Sequence, residues 1–239
     1  MSSKRINLWS GPRNISTALM YSFAQREDTR VLDEPLYAFY LAETGLQHPG
    51  RKEILASQSN NGQEIIDRVI LRDYAEEVVF FKQMTHHLLN LDRSFLNSCK
   101  NIILIRHPKL VLQSYAKVIA NPSVEDIGIV QSFRLVEEFQ NSTTKPIIID
   151  SDGLLQNPAD SLAKLCEALQ IPYDEKMLNW NPGPRIEDGV WASYWYSAVH
   201  NSRGFHPAKS LDFELPENLH PILNEALPFY DSLKEIALI

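Results

Sequence analysis

The chain has 239 residues, with 23 basic and 30 acidic side chains and a formal charge of −7. Apolar residues at 44% and charged residues at 22% describe an ordinary globular chain, long enough to bury a sizeable core, and the acidic balance argues against the broad basic surface of a duplex-DNA binder. The nine glycines form neither G-x-G-x-x-G nor G-x-x-x-x-G-K-[ST], which excludes the commonest dinucleotide and nucleoside-triphosphate fingerprints.

Short β-branched or aromatic runs alternate with stretches of helical period. The runs are Ile6–Trp9, Arg30–Leu32, Val78–Phe81, Asn101–Ile105 and Pro146–Ile149. Each is nearly continuous, as expected of strands covered on both faces. Between the first two, Ile15, Leu19 and Phe23 recur every fourth residue; Ile66 and Ile70 do the same before the third. Val111, Tyr115 and Val118 or Ile119 repeat the pattern after the fourth. After the fifth come Leu162, Leu165, Cys166 and Leu169, with Asn157-Pro158 supplying an N-cap and a first-turn proline. Residues 182–206, with Gly183, Gly189, Gly204 and a run of aromatics, read as a long lid or covering loop. Residues 215–239 read as a terminal helical segment, interrupted at Pro221 and Pro228. This alternation predicts an α/β fold, a three-layer sandwich around a parallel sheet of about five strands, built as a single domain over 1–239.

Cys99 and Cys166 form no C-x-x-C, so reduced thiols and a cytoplasmic setting are expected. The stretch from Met1 to Arg5 is polar and the apolar run after it is too short for a signal peptide. No apolar run is long enough to span a membrane. Nothing in the sequence specifies an oligomeric state.

In open parallel sheets ligands bind beyond the carboxyl ends of strands, so the residues just after each strand are the informative ones. The first strand leads into Ser10-Gly11-Pro12-Arg13-Asn14-Ile15-Ser16-Thr17 and then a helix. Such a junction offers free backbone N–H groups and a positive dipole end to an anion. Arg13, Ser16 and Thr17 add charge and hydroxyl donors, or else Asn14 simply caps the helix and Arg13 is solvated. The fourth strand leads into Arg106-His107-Pro108-Lys109, with Ser114 on the next helix. Arg106 is either a second anion anchor or the partner of a carboxylate. The second ends in Asp33-Glu34-Pro35, a general base or a turn before a helix. The third ends in Lys82, a cation aimed at the same edge or one that snorkels to solvent.

These strand ends together resemble the sulfotransferases that use 3′-phosphoadenosine 5′-phosphosulfate (PAPS), a P-loop-NTPase-like fold. Their first loop reads P-[KR]-S-G-T-T, and Pro12-Arg13-Asn14-Ile15-Ser16-Thr17 takes its place here. Their 3′-phosphate motif, an arginine ending a strand, then a proline and a more distant serine, is matched by Arg106, Pro108 and Ser114. Lys82 resembles the lysine of a K-x-P segment, with Met84 in place of the proline. Asp150 to Leu178 resembles the D/E-x-L-x-x-x-P helix and the turn after it. Ser202-Arg203-Gly204 resembles the late segment around the 3′-phosphate. Two departures stand out. Ile15 replaces the loop glycine, so φ must stay negative there, and Asn14 replaces a hydroxyl residue.

The resemblance implies in-line transfer of a sulfuryl group to a hydroxyl or amine of a small-molecule acceptor, releasing 3′,5′-adenosine bisphosphate (PAP). Glu34 would be the base, in preference to His86 or His87. Arg13, Lys82, Ser16, Thr17 and helix amides would stabilise charge at the reacting end, while Arg106, Ser114, Arg203 and Gly204 would hold the 3′-phosphate. No metal is implied, and no nucleic acid. Two other readings compete. One is a magnesium-ATP phosphotransferase with Asp150, after Ile147-Ile148-Ile149, as metal ligand; the other is a catalytically inactive binder of nucleotides or sulfate esters. The aromatics Trp191, Tyr194, Trp195 and Tyr196 line an acceptor pocket or pack a helix face, and Trp9 is core or touches adenine.

Overall fold

Five strands, β1 Lys4–Ser10, β2 Thr29–Asp33, β3 Val78–Met84, β4 Lys100–Ile105 and β5 Ile147–Asp150, form one all-parallel sheet in the order β2-β3-β1-β4-β5. The computed structural model describes residues 3–117, 119, 121–142 and 144–239; Met1 and Val118 of the sequence patterns lie outside the described residues. The first four strands contain the runs predicted for them, and β5 is shifted by one residue from the expected Pro146–Ile149, starting after Pro146, whose missing N–H cannot join a ladder. β3 is buried at every position but its last, as its continuous apolar run requires.

The helices, in chain order, are α1 Ser16–Phe23, α2 Tyr37–Thr44, α3 Arg51–Ser57 and α4 Gly62–Ile65, which a π-helical turn, Ile66–Ile70, continues. Then come α5 Pro108–Tyr115, α6 Ile129–Glu138, α7 Ser151–Gln156, α8 Pro158–Leu169, α9 Ala192–Trp195, α10 Ser197–His200 and α11 His220–Glu235. Where Ile66 and Ile70 suggested an α-helical period, the Leu71 amide reaches back to the Ile66 carbonyl at 2.8 Å, the wider π spacing. Both isoleucines stay buried in that turn.

The chain divides into two compact units. One comprises residues 3–8, 16–101 and 174–205; the other, residues 9–15, 102–173 and 206–239. In the first unit α1 packs on β2 and β3, with the Phe23 and Phe80 rings stacked at 4.2 Å. Leu19, Met20, Val79 and Phe81 are wholly buried beside them, each side chain contributing about 1.5–3 kcal/mol of transfer free energy.

In the second unit β4 pairs with β5, and α11 packs on β5, α5 and α6. Asn157 caps α8 by accepting from the Asp160 amide, with Pro158 in the first turn, as predicted; Leu162, Leu165, Cys166 and Leu169 form the buried stripe. The terminal segment differs from expectation. α11 begins just ahead of Pro221, where a missing N–H costs nothing, and runs straight through Pro228. Burial of Ala226, Tyr230 and Leu233 holds the helix together across the lost hydrogen bond. Beyond it, the Leu238 amide donates to the Ile148 carbonyl at 2.8 Å and the Asp150 amide to the Ile239 carbonyl at 2.9 Å, which closes the outer edge of β5. No helix among the described residues is long and apolar enough to cross a membrane.

Candidate active site

The second unit carries the loop after β1 and the turn after β4. At Gly11 a Cβ would lie 2.4 Å from the Ile127 carbonyl oxygen, so only glycine fits there. Arg13 takes a left-handed φ of 57°, a conformation that costs a non-glycine residue about 1–3 kcal/mol. Its Nε donates to Ser114 Oγ at 2.8 Å, and its own carbonyl accepts from Arg106 Nη1 at 2.8 Å. The three residues that the sequence places after two separate strands are thus one connected cluster. Ile15 is not among the left-handed residues; the departure from glycine is tolerated because the strain falls two positions earlier, on Arg13. Asn14 does not cap α1 in the usual way. Its Oδ1 accepts from the Ile15 amide at 2.9 Å and its Nδ2 donates to the Leu104 carbonyl at 3.0 Å, which ties the loop to β4.

Arg106 is largely buried, and its Nε stands 3.8 Å from Asp152 Oδ1, beyond hydrogen-bond reach. Both atoms are buried without a hydrogen-bond partner. Burial pulls the Arg106 guanidinium down from its ordinary value, with Asp152 opposing, and pushes Asp152 up. Arg106 thus stands between a second guanidinium, Arg13, and an imperfectly engaged carboxylate, an arrangement that a doubly charged anion would complete. Asp150, the metal ligand of the phosphotransferase reading, is occupied otherwise. It caps α7, and its carboxylate is bound by Lys234 Nζ and, at 3.2 Å, by the Tyr230 hydroxyl.

In the first unit, Ser16 and Thr17 open α1, Ser16 being buried. Ser202, Arg203 and Gly204 are pinned to residues 178–180. The Trp180 amide donates to the Arg203 carbonyl at 3.1 Å, Trp180 Nε1 donates to Ser202 Oγ at 3.0 Å, and Gly204 bridges to Asn179. A Cβ on Gly204 would meet the Leu178 carbonyl oxygen at 2.7 Å. The Arg203 side chain is exposed.

The same unit holds a buried ionic cluster at the ends of β2 and β3. Lys82 does not snorkel. Its Nζ donates to Asp33 Oδ1 at 3.0 Å, to the Tyr196 hydroxyl at 2.7 Å and to Glu34 Oε1. Neighbouring residues of a strand point to opposite faces, yet Asp33 and Glu34 reach one ammonium. They do so because β2 ends at Asp33 and Glu34 adopts a left-handed φ of 39°. Burial pushes the Glu34 carboxyl above its ordinary value; Lys82 opposes this and Asp33 adds to it. Burial also works against the Lys82 charge, but Asp33 and Glu34 outweigh it and hold the ammonium above its usual value.

Of the two histidines after β3, His87 is the one that faces this cluster, with Nε2 3.9 Å from Glu34 Oε2. Its ring stacks on Tyr37 at 5.0 Å, and burial holds it well below its usual value, so it is a neutral neighbour. The aromatic run divides by depth. Trp191 and Tyr196 are buried, the indole Nε1 donating to the Tyr196 hydroxyl at 3.0 Å, whereas Tyr194 is half exposed.

Three residues of this unit are not expected from the sequence as partners of the charged cluster: Asp33, Tyr196 and Asp188. Asp33 accepts from the Tyr196 hydroxyl at 2.9 and 2.8 Å and from the Gly189 amide at 3.1 Å. Asp188 accepts from Tyr21 and from the Arg185 amide, and faces His200 Nε2 at 2.9 Å. The doubled acid of Asp33-Glu34 was the visible signal for the first of these and the aromatic run 191–196 for the second; an isolated Asp188 in a loop carries none. A cleft of about 810 Å³ runs along the outer edge of β2 and borders the cluster through Asp33 and Trp191, not through Glu34.

A model of the sulfotransferase-domain family matches residues 4–237. The chain belongs to the sulfotransferase-domain family. Among curated proteins it is similar to branched-chain-amino-acid aminotransferase-like proteins 1 and 2 of Arabidopsis thaliana, at 39% and 36% identity over 230 residues. That match takes in 96% of this chain but 41% of each relative, so the chain spans about two-fifths of their length. Among solved structures it resembles the sulfotransferase domain of the Synechococcus PCC 7002 olefin synthase, with a TM-score of 0.59 at 20% identity, covering 94% of this chain and 95% of that one. It also resembles a sulfotransferase from Alicyclobacillus acidocaldarius, with a TM-score of 0.59 at 11% identity, covering 99% and 96%. At these identities the shared property is the fold, and the five-stranded parallel sheet is that of the P-loop-NTPase-like sulfotransferases.

Proposed function

We propose that this sulfotransferase-family chain moves a sulfuryl group from PAPS to a hydroxyl or amine of a small acceptor. The observation that carries this reading is the cluster in which Arg13 binds Ser114 and Arg106 binds the Arg13 carbonyl, with Arg106 Nε lacking a hydrogen-bond partner. Those residue types, so joined, suit the 3′-phosphate that distinguishes PAPS from ATP. Arg203, exposed on a glycine-pinned turn, is assigned to the same phosphate. Ser16, Thr17 and the first amides of α1 are assigned to the 5′-phosphate, with Asn14 and Ile15 shaping the loop that precedes them.

In the transfer, the acceptor oxygen or nitrogen forms a bond to sulfur as the bond from sulfur to the 5′-phosphate oxygen breaks. The electron pair leaves with PAP. Glu34 accepts the acceptor's proton; its burial raises its basicity above that of a solvated carboxylate. Lys82 holds Glu34 in place, since each of its three N–H groups already has an acceptor. Arg13, through its bond to Ser114, is assigned with the 3′-phosphate residues rather than with the reacting end to which the resemblance assigned it.

Calorimetric titration with PAP, compared with ATP plus magnesium, tests the reading. Binding of PAP that Arg106→Ala weakens supports it. Preferential, magnesium-dependent binding of ATP would overturn it in favour of phosphotransfer. PAP binding with no sulfuryl transfer from PAPS to any of a panel of hydroxyl and amine acceptors would reduce it to a binding role.

A further inference from the structure

The two adjacent carboxylates on Lys82 are not held alike. Asp33 receives the Lys82 ammonium at 3.0 Å, the Tyr196 hydroxyl on both oxygens, and the Gly189 amide at 3.1 Å. Trp191 Nε1, donating to the same hydroxyl at 3.0 Å, orients its proton toward Asp33. Glu34 is bound by Lys82 through Oε1 and also feels the Tyr196 hydroxyl, while its Oε2 has the His87 Nε2 at 3.9 Å, too far for a hydrogen bond. Two acids and one ammonium, all buried, leave the cluster one cation short. Asp33 takes the larger share of the donors, and burial pushes the Glu34 carboxyl above its ordinary value.

We propose that Asp33 is a positioning residue which, backed by Tyr196 and the Gly189 amide, withholds part of the Lys82 charge from Glu34 and so leaves Glu34 as the carboxylate that exchanges a proton. Its purpose rests on the reading of Glu34 as the base, but the arrangement can be tested without turnover. The groups facing Glu34 come from every element around it: Asp33 from β2, Lys82 from β3, His87 from the turn after β3, and Tyr196 between α9 and α10. His86 and His48 act on His87, which stays neutral and supplies no charge of its own.

The experiment is a carbon-13 NMR titration of the Glu34 side-chain carboxyl in the full chain, with Glu34→Gln used to assign the signal. Asp33→Asn removes a negative neighbour and frees Lys82 for Glu34, so the Glu34 midpoint moves to lower pH. Tyr196→Phe takes the shared hydroxyl from both carboxylates, draws Lys82 toward Asp33, which loses that donor on both oxygens, and moves the Glu34 midpoint to higher pH. Opposite displacements are the signature, because a purely structural loss would displace both variants in the same direction. An unmoved midpoint in Asp33→Asn, or displacements of like sign, would overturn the proposal. If Asp33→Asn fails to fold, Asp33→Ser takes its place: a lowered Glu34 midpoint supports the proposal, and an unmoved or raised one ends it. Unchanged turnover in Glu34→Gln would remove the base assignment while leaving the titration result to stand or fall by itself.

Discussion

Lys82 has an acceptor for each of its three N–H groups, whereas Arg106 keeps a buried Nε that meets Asp152 only at 3.8 Å. Both are cations at the carboxyl ends of strands, and the difference lies in what surrounds them. The Lys82 cluster brings its own counter-charges and closes on itself, so it can hold a proton acceptor in a fixed place. The Arg13–Ser114–Arg106 cluster brings two guanidiniums together, with Asp152 only loosely engaged by Arg106, so an incoming anion meets donors already oriented. A satisfied cation organises the protein; an under-satisfied one is available to a ligand.

The contrast breaks most visibly at the base. Glu34→Gln is expected to lower turnover by about 10²–10⁴-fold while leaving PAP affinity intact, measured by steady-state kinetics beside calorimetry. Lys82→Met strands two buried carboxylates and is expected to cost about 3–5 kcal/mol of stability in denaturant unfolding. Arg106→Ala should cost less stability than Lys82→Met, about 1–3 kcal/mol for the orphaned Arg13 carbonyl and Asp152, yet weaken PAP by about 10- to 100-fold, the worth of about 1.5–3 kcal/mol for a charged hydrogen bond. A large stability loss with no change in affinity there would reverse the assignment of the two clusters. Gly11→Ala, which sets a methyl against the Ile127 carbonyl, should cost about 1–3 kcal/mol in thermal unfolding.

The smallest effect is the pH dependence. The folded-state value of Lys82 lies above its ordinary 10.5. Its contribution to stability is therefore complete below pH 10.5 and is lost as the pH rises through the folded value. Unfolding free energy should decline in that alkaline window, and Lys82→Met should show a shallower decline over the same range.

Legibility in the sequence tracked locality. Continuous apolar runs marked all five strands because a strand covered on both faces needs no polar face. Asn157-Pro158 announced α8 because an N-cap acts within one turn. The path through Pro228 was not legible, because burial of residues on either side of it outweighs one missing hydrogen bond. The likeness to a family motif assigned Arg106 and Ser114 to one phosphate and Arg13 to the reacting end, whereas in the structure the three are bonded. It offered no sign that Asp33 and Tyr196 converge on Lys82, since those contacts join residues far apart in the chain.

By itself, then, the sequence determined the parallel α/β class and the sulfotransferase family, because periodicity and strand-end residues are properties of short segments. The shortage of glycine came down to Ile15, and the tertiary structure resolved it by moving the left-handed residue to Arg13. Only that structure decided which charges are closed off and which stand ready. The left-handed turn at Glu34 and the depth at which Tyr196 is buried set the distances over which charges act, and neither is written in a local pattern.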